Sequence, residues 1–587
     1  MSTLAATDRA KIQKLLSVAR ATRPLPAPDG SLYYASNRDG HAQVYRQTAP
    51  AAQPERVFAG ETRMVPHAHT PLGLLVREDH GGGETWQLAL IEDGGRYRAL
   101  TEDARAVHQS VTLHPDGLRV GLGWNPGGQA DMVLGQLDLA SGEMTRWAEP
   151  GGFWLWGAWS PDGTRAMVIK SLGMPTEGYI LDRDGTLTRL LPDVLRVLPV
   201  YWLGDGILVV TDGGRDFFGL ALVEPTRPEV VARWLLSEDH DVEGVAVDRA
   251  RTKAAVVVNE GTYDSIRIIH LQSGREEERY ITPHGLVISD HTGDADYHLG
   301  WNEDGSRLFV SWERPTQPAE IYAFPGGTRW TFTNDLPSGL VEPQETSYQS
   351  FDGLTVPALY YRVDAKPRPV VVDFHGGPEG QWRGIFLPQA HLLNAIGINV
   401  FLPNVRGSTG YGIRYERLDN KTLRWNGVKD GAEAARHLKR SGATMTAAMG
   451  GSYGGFMTLA VLVDDTDLWD AGVETVGIAD WHTFFRNMPP WRGVLRMSEY
   501  GDPNGAESEY LREISPIHRA SAIKAPLLVI HGRNDPRVPV GESIQIADAV
   551  PRSELLIFED EGHGVTTLAN QVTANSRILE FLASHLL

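Results

Sequence analysis

Three side chains in this sequence could together cut an acyl bond: Ser452, Asp535 and His563. Ser452 stands in Gly450-Gly451-Ser452-Tyr453-Gly454-Gly455, which fits the pattern Gly-x-Ser-x-Gly. Glycines two before and two after a serine let the backbone turn sharply from strand to helix and leave the hydroxyl exposed. A serine hydroxyl is a poor nucleophile at neutral pH, so it needs a base. His563, in Gly562-His563-Gly564, would take its proton and return it to the leaving group. Asp535, in Arg533-Asn534-Asp535-Pro536, would fix the imidazole tautomer and stabilise the imidazolium. The developing oxyanion needs preorganised donors. The backbone N–H of Tyr453, next after the serine, is one; the N–H of Gly377, in His375-Gly376-Gly377-Pro378, is the choice for the second.

Such a constellation works only if strands deliver it. Residues 445–449 read as a buried strand and 456–462 as a helix, the context the serine motif requires. Val370 to Phe374 reads as a strand leading into the Gly377 loop. The run Ala525 to Gly532 reads as a buried parallel strand ending before Asp535, and Ser553 to Phe558 as another ending before His563. The order Ser, Asp, His, each just past a strand, predicts an α/β-hydrolase domain with a doubly wound, mostly parallel sheet. Alone, Asp535 could open an Asn-Asp-Pro turn and His563 could be a loop histidine; the conjunction favours chemistry. Ser408, in Gly407-Ser408-Thr409-Gly410, has Arg406 two positions before it, where an elbow wants a small residue. Asp480, after the strand-like stretch 472–477, is an alternative acid.

The chain before this domain repeats itself. Turn signals precede apolar runs at Asp29-Gly30, Leu72-Gly73, Asp116-Gly117, Asp162-Gly163, Asp205-Gly206, Arg249-Ala250 and Asp304-Gly305. Their spacing is close to the ~40–45 residues of a four-stranded propeller blade. Seven corners predict a seven-bladed β-propeller, with two of the corners degenerate. The Asp-Gly pairs read as hairpin turns, since they lack the ligand spacing of a calcium loop. The acidic run Glu276-Glu277-Glu278 reads as a solvated strand end. Three segments follow: an N-terminal helix within residues 1–22, a propeller over 23–330, and a hydrolase over 331–587, with Asn334 to Gly339 as the connector. Ile12, Leu15, Leu16 and Val18 give the helix an apolar face.

The C-terminal part resembles the prolyl oligopeptidase family of serine peptidases, and most of all its acylaminoacyl-peptidase type. The resemblance rests on His375 to Pro378, Asn404 to Gly412, Gly450 to Gly455, His531 to Pro539 and Gly562 to Gly564. It implies Ser452, Asp535 and His563 as the triad and the Gly376-Gly377 loop as part of the oxyanion hole. It also implies an N-terminal helix packed back on the hydrolase and a propeller that filters substrates by size. Short peptides are then the substrates, with carboxypeptidase action or carboxylester hydrolysis as alternatives. Similar enzymes are often homo-oligomers, and no motif here fixes the number. The stretch from Trp481 to Arg496 lies where related enzymes build the substrate pocket. Phe484, Phe485 and Trp491 are candidates for an apolar side-chain pocket, and Arg486 and Arg492 for an anchor that grips a carbonyl or carboxylate.

Composition narrows the rest. The 587-residue chain has no cysteine, which excludes disulfides and thiolate chemistry. Its 74 acidic residues against 55 basic ones give a net charge of −19, which disfavours nucleic acid as a partner. No metal-ligand spacing or phosphate-binding loop appears, so no cofactor and no metal are implied. No apolar run is long enough to span a bilayer and no secretory pattern opens the chain, so the default reading is a soluble cytoplasmic protein with no membrane partner.

Overall fold

The computed structural model describes residues 6–173, 175–281, 285–289 and 298–587. Residues 1–5 of the N-terminal segment lie outside the described residues. Seven antiparallel sheets follow one another from Ala21–Pro26 to Thr328–Arg329, and an eight-stranded sheet follows them. The seven sheets are the blades of a propeller. All seven corners singled out in the sequence occupy one place, the turn between the first and second strand of a blade. Asp29-Gly30, for example, joins Ala21–Pro26 to Leu32–Ser36, and Asp304-Gly305 joins Leu299–Trp301 to Leu308–Arg314.

Every blade is built of strands consecutive in the chain, so no strand is exchanged between the first blade and the last. The ring is closed there by side chains. Ala21, Leu32, Tyr34 and Tyr45 of blade 1 form one apolar cluster with Phe309, Ile321, Ala323 and Trp330. Two polar contacts reinforce the seam: Ala51 N–H donates to the Trp330 carbonyl at 3.0 Å and Gln47 Nε2 to the same oxygen at 2.7 Å. A cavity of about 430 Å³ opens at this seam, lined by Gly30, Asp304 and Trp330 among others.

Strands alternate in direction, so turns one-to-two leave one rim of the propeller and loops two-to-three leave the other. The second rim faces the hydrolase. Six of its loops bond to that domain, through Gly40 O to Leu568 N, Gly81 O to Asn534, Leu172 O to Ser498, Asp216 O to Ile413 N, Tyr263 O to Arg383 and Pro315 O to His391.

The hydrolase sheet runs, in spatial order, Gln344–Gln349, Thr355–Tyr361, Asn399–Pro403, Val370–Phe374, Thr446–Gly451, Ala471–Thr475, Leu527–Gly532 and Ser553–Phe558. The first two pairings are antiparallel and the rest parallel. Each inner strand is buried on both faces, and the pleat sorts its residues between two cores. Val370, Val372, Ala448 and Val529 face the helices Arg424–Arg440 and Tyr453–Asp464. Val371, Ala447, Leu528 and Ile530 face the helices Pro388–Ala395 and Leu568–Leu586.

That second core also holds Ile12, Leu15 and Leu16 of the helix Ala6–Leu16. The chain therefore starts against the hydrolase, crosses to the propeller and returns. The two crossings are tied together: Asn334 accepts from Ala19 N–H at 2.8 Å and donates to the Ala19 carbonyl at 2.6 Å. Among the described residues, no helix is long and apolar enough to cross a membrane.

Candidate active site

Ser452 sits between the strand Thr446–Gly451 and the helix Tyr453–Asp464, with φ 58° and ψ −120°. A non-glycine residue at positive φ is strained, and here the surroundings hold it. Its N–H donates to Thr475 O at 2.9 Å, and its carbonyl accepts from Phe456 N–H at 3.1 Å. The flanking glycines are needed for closeness. A Cβ on Gly454 would lie 2.0 Å from the Phe374 carbonyl oxygen, and one on Gly450 would lie 2.4 Å from the Gly454 oxygen. The turn passes directly against the end of the neighbouring strand Val370–Phe374, which brings the next loop in. A Cβ on Gly376 would lie 3.5 Å from that of Ser452.

That loop is pinned from two sides. Tyr500 donates its hydroxyl to the Gly377 carbonyl at 2.8 Å. His375, whose burial pushes its pKa down to about 4, meets the Ser408 hydroxyl at 2.8 Å. Ser408 is fully buried and also donates to Val405 O at 2.6 Å, so it props the loop. Tyr453 opens its helix, and its own hydroxyl is buried near Asp419 and Arg424 at 3.2 and 3.3 Å.

Asp535 and His563 follow adjacent parallel strands and meet in a charged hydrogen bond. His563 Nδ1 donates to Asp535 Oδ2 at 2.7 Å. The other carboxylate oxygen accepts from the N–H groups of Arg537 and Val538 at 2.7 and 2.9 Å. Burial pushes the Asp535 pKa up, but His563, His531 and these bonds more than offset it and hold it below the ordinary carboxylate range. The carboxylate is ionised when the imidazole beside it is protonated. Asp480 is placed differently: it caps the helix Trp481–Asn487 by accepting from His482 N–H at 2.8 Å.

The five candidate pocket residues separate. Phe484 is buried in the hydrolase core against Trp481 and Tyr500, with half-buried Phe485 beside it. Arg486 is exposed. Trp491 stacks on Phe153 of the propeller, ring centres 5.4 Å apart. Arg492 lies over the Trp491 ring and bonds Glu84 of the propeller at 2.5 Å. The run Glu276-Glu277-Glu278 lies in the outermost strand of blade 6, where Glu276 accepts from Arg279 at 2.7 Å.

Two groups beside the site carried no assigned role in the sequence. Glu84, in a loop of the hydrolase-facing rim, also bonds Arg537 at 2.8 Å, two residues after Asp535. Burial pushes its pKa up, and the two arginines more than reverse that. The same loop brings Gly82 onto the His563 loop: a Cβ there would lie 2.8 Å from the Gly562 nitrogen. His531 lies four residues before Asp535, with Nε2 3.4 Å from Asp535 Oδ2. The spacing His-x-x-x-Asp at a strand end was the available signal for His531; nothing local marks Glu84.

A parallel sheet with a serine elbow, under a seven-bladed propeller, defines the class: a two-domain α/β hydrolase. Comparison with known proteins narrows it. Residues 386–587 match the model of the prolyl oligopeptidase family. A dipeptidyl aminopeptidase BIII of Pseudoxanthomonas mexicana is 27% identical over 95% of this chain and 86% of its own. An acylamino-acid-releasing enzyme of Arabidopsis thaliana is 25% identical over 39% of this chain and 31% of its own. A puromycin-hydrolyzing peptidase of Mycobacterium tuberculosis superposes with a TM-score of 0.84, at 20% identity over 100% of this chain and 96% of that one. The match to the prolyl oligopeptidase family spans residues 386–587, and with the peptidase relatives it supports a serine peptidase.

Proposed function

We propose that Ser452, His563 and Asp535 are the catalytic triad of a peptidase acting on short peptides near their amino end. The observation that carries this is the Asp535–His563 bond of 2.7 Å, at the same strand-end edge of the sheet as a serine held at φ 58°. His563 takes the Ser452 proton, the hydroxyl oxygen adds to the scissile carbonyl, and the protonated imidazole gives the proton to the leaving amine. Water then repeats the sequence on the acyl-enzyme. The Tyr453 N–H and the Gly377 N–H receive the oxyanion, the latter in a loop that Gly376 brings against Ser452.

The propeller supports a size limit. Its loop 81–84 is seated on the His563 loop, which leaves little room there for a folded protein. The names dipeptidyl aminopeptidase and acylamino-acid-releasing enzyme both describe removal of an N-terminal unit. Charge separates those two modes. Beside His563, two guanidiniums, Arg492 and Arg537, surround one carboxylate, Glu84. Glu84 is committed to these guanidiniums and Asp535 to His563, so neither is free to pair with a free α-ammonium, and an acylated N-terminus is tolerated. Because Glu84 already occupies Arg492, exposed Arg486 is the freer candidate for a carboxylate anchor. We assign Phe485 to the pocket wall rather than buried Phe484.

Mass spectrometry of products from one peptide in free, N-acetylated and C-amidated forms, with Ser452→Ala as control, tests this. Faster release from the acetylated form is expected. Exclusive release from free amines would reverse the charge argument, and loss on amidation would establish carboxypeptidase action. Ester turnover with every peptide left intact would make the protein an esterase on this fold.

A further inference from the structure

Beside Asp535, reaching the same carboxylate oxygen that His563 bonds, lies a chain of three buried polar groups that the reaction above does not use. His531, Ser543 and Glu474 are all fully buried. His531 ends the strand Leu527–Gly532, Glu474 lies on the adjacent strand Ala471–Thr475, and Ser543 lies in the helix Gly541–Ala549 packed over both. His531 Nε2 is 3.0 Å from the Val538 carbonyl and 3.4 Å from Asp535 Oδ2. Both are acceptors, so Nε2 carries a proton. His531 Nδ1 is 2.7 Å from Ser543 Oγ, and Ser543 Oγ is 3.2 Å from Glu474 Oε1.

A hydroxyl between an imidazole nitrogen and a carboxyl oxygen can be satisfied in two ways with the same number of protons. In one, protonated Glu474 donates to Ser543 Oγ, which donates to neutral His531. In the other, His531 as imidazolium donates to Ser543 Oγ, which donates to ionised Glu474. One proton leaves the Glu474 oxygen for Ser543 Oγ as another leaves Ser543 Oγ for His531 Nδ1. No net charge enters or leaves.

We propose that His531 is a positioning residue for Asp535, and that Ser543 passes a proton between Glu474 and His531 so as to set how much positive charge Asp535 meets besides that of His563. The charge-separated form puts a cation 3.4 Å from the carboxylate that orients His563. In the neutral form His531 still donates from Nε2 but carries no charge, so the negative charge of Asp535 acts more fully on His563. The groups facing this relay are Asp535 from the loop, with His563 beyond it, and Glu542 from the helix. Burial, with a smaller push from Glu542, raises the Glu474 carboxyl to about 7 against the opposing pull of His531, Ser543 and the Gly477 N–H. His531 is held above the ordinary histidine range: burial lowers it, and Asp535 and Glu474 more than offset that. Both members of the pair are thus raised, and the bonds through Ser543 let one proton be shared between them.

The inference rests on the triad assignment, and the pH dependence of kcat/KM on a good peptide substrate tests the two separately. Glu474→Gln removes the carboxylate that balances an imidazolium, so His531 becomes neutral and the acid limb moves up by roughly 0.5–1 pH unit. His531→Gln moves it in the same direction and lowers kcat several-fold. Ser543→Ala breaks the relay and gives the same shift as Glu474→Gln. Labelling of Ser452 by a serine-reactive phosphonate is read in each variant. Wild-type enzyme that hydrolyses peptide without labelling at Ser452 would overturn the triad assignment. Normal labelling with the acid limb unmoved in Glu474→Gln, a nearly isosteric change that spares the fold, would overturn the relay alone. A uniform loss in His531→Gln with no shift would reduce His531 to a packing residue.

Discussion

At the rim of the propeller away from the hydrolase, one turn recurs seven times; at the rim facing it, the loops have nothing in common but their position. The remote turns share one conformational task, and some also touch the corner of a neighbouring blade, as Gly163 does at His114. Gly30 takes φ 82° with nothing within 4 Å of where a Cβ would stand. Where Asp-Gly is missing, as at Arg249-Ala250, the turn still forms: Arg251 takes φ 57°, and Asp248 accepts from the N–H groups of Thr252 and Lys253 at 2.7 and 3.0 Å. The facing loops each make a different contact, and the one at Gly81 to Glu84 touches both the Asp535 and the His563 loops. A repeated turn tolerates a lapse because its job is local. A loop that meets another domain does not, because its partner is a particular surface.

Substitutions on the two rims put that contrast at risk, and the largest effect is expected at Gly82. Gly82→Ala places a Cβ 2.8 Å from the Gly562 nitrogen at a φ of 78°. Displacement of the His563 loop should lower kcat/KM at least ~10-fold, by the loss of geometry that catalysis requires, while thermal unfolding of the protein changes little. Full activity in Gly82→Ala would show that the rim contact is incidental. Glu84→Gln removes the charge between Arg492 and Arg537, so each half-buried guanidinium loses its ionic partner. A several-fold fall in kcat/KM is expected, and the ratio of acetylated to free-amine cleavage should rise; an unchanged ratio would break the charge argument for N-acyl preference. The smallest effect is expected on the remote rim. Arg251→Gly relieves a positive φ and should raise stability by up to about 1 kcal/mol with no change in turnover. Calorimetry beside a peptide assay separates the two rims: a catalytic defect from Arg251→Gly would end the distinction between them.

The same contrast explains what could be read from the sequence. The seven corners, the elbow at Ser452 and the order of Asp535 and His563 are signals held within a few residues, because each is set by local backbone geometry. Blade count and sheet type follow from them. The bond from Arg492 to Glu84 joins residues 408 apart, and Trp491 finds Phe153 across the same interface. No period or turn pattern encodes such meetings, so Trp491 and Arg492 read as pocket residues when the interdomain surface holds them. His531 is an intermediate case. Its spacing to Asp535 is visible in the sequence, whereas Glu474 joins it through strand adjacency and Ser543 through the helix packed above.

The docking of the helix Ala6–Leu16 onto the core beneath Leu568–Leu586 sets a timetable for biosynthesis. The propeller's strands pair with neighbours in the chain, so each blade can form as it leaves the ribosome. The helix that precedes them must wait for Pro388–Ala395 and then for Leu568–Leu586, the latter roughly half a minute to two minutes later at usual elongation rates. Through that interval Ile12, Leu15 and Leu16 lack their full native cover. The nascent chain therefore carries an apolar handle for a chaperone until the hydrolase core has emerged.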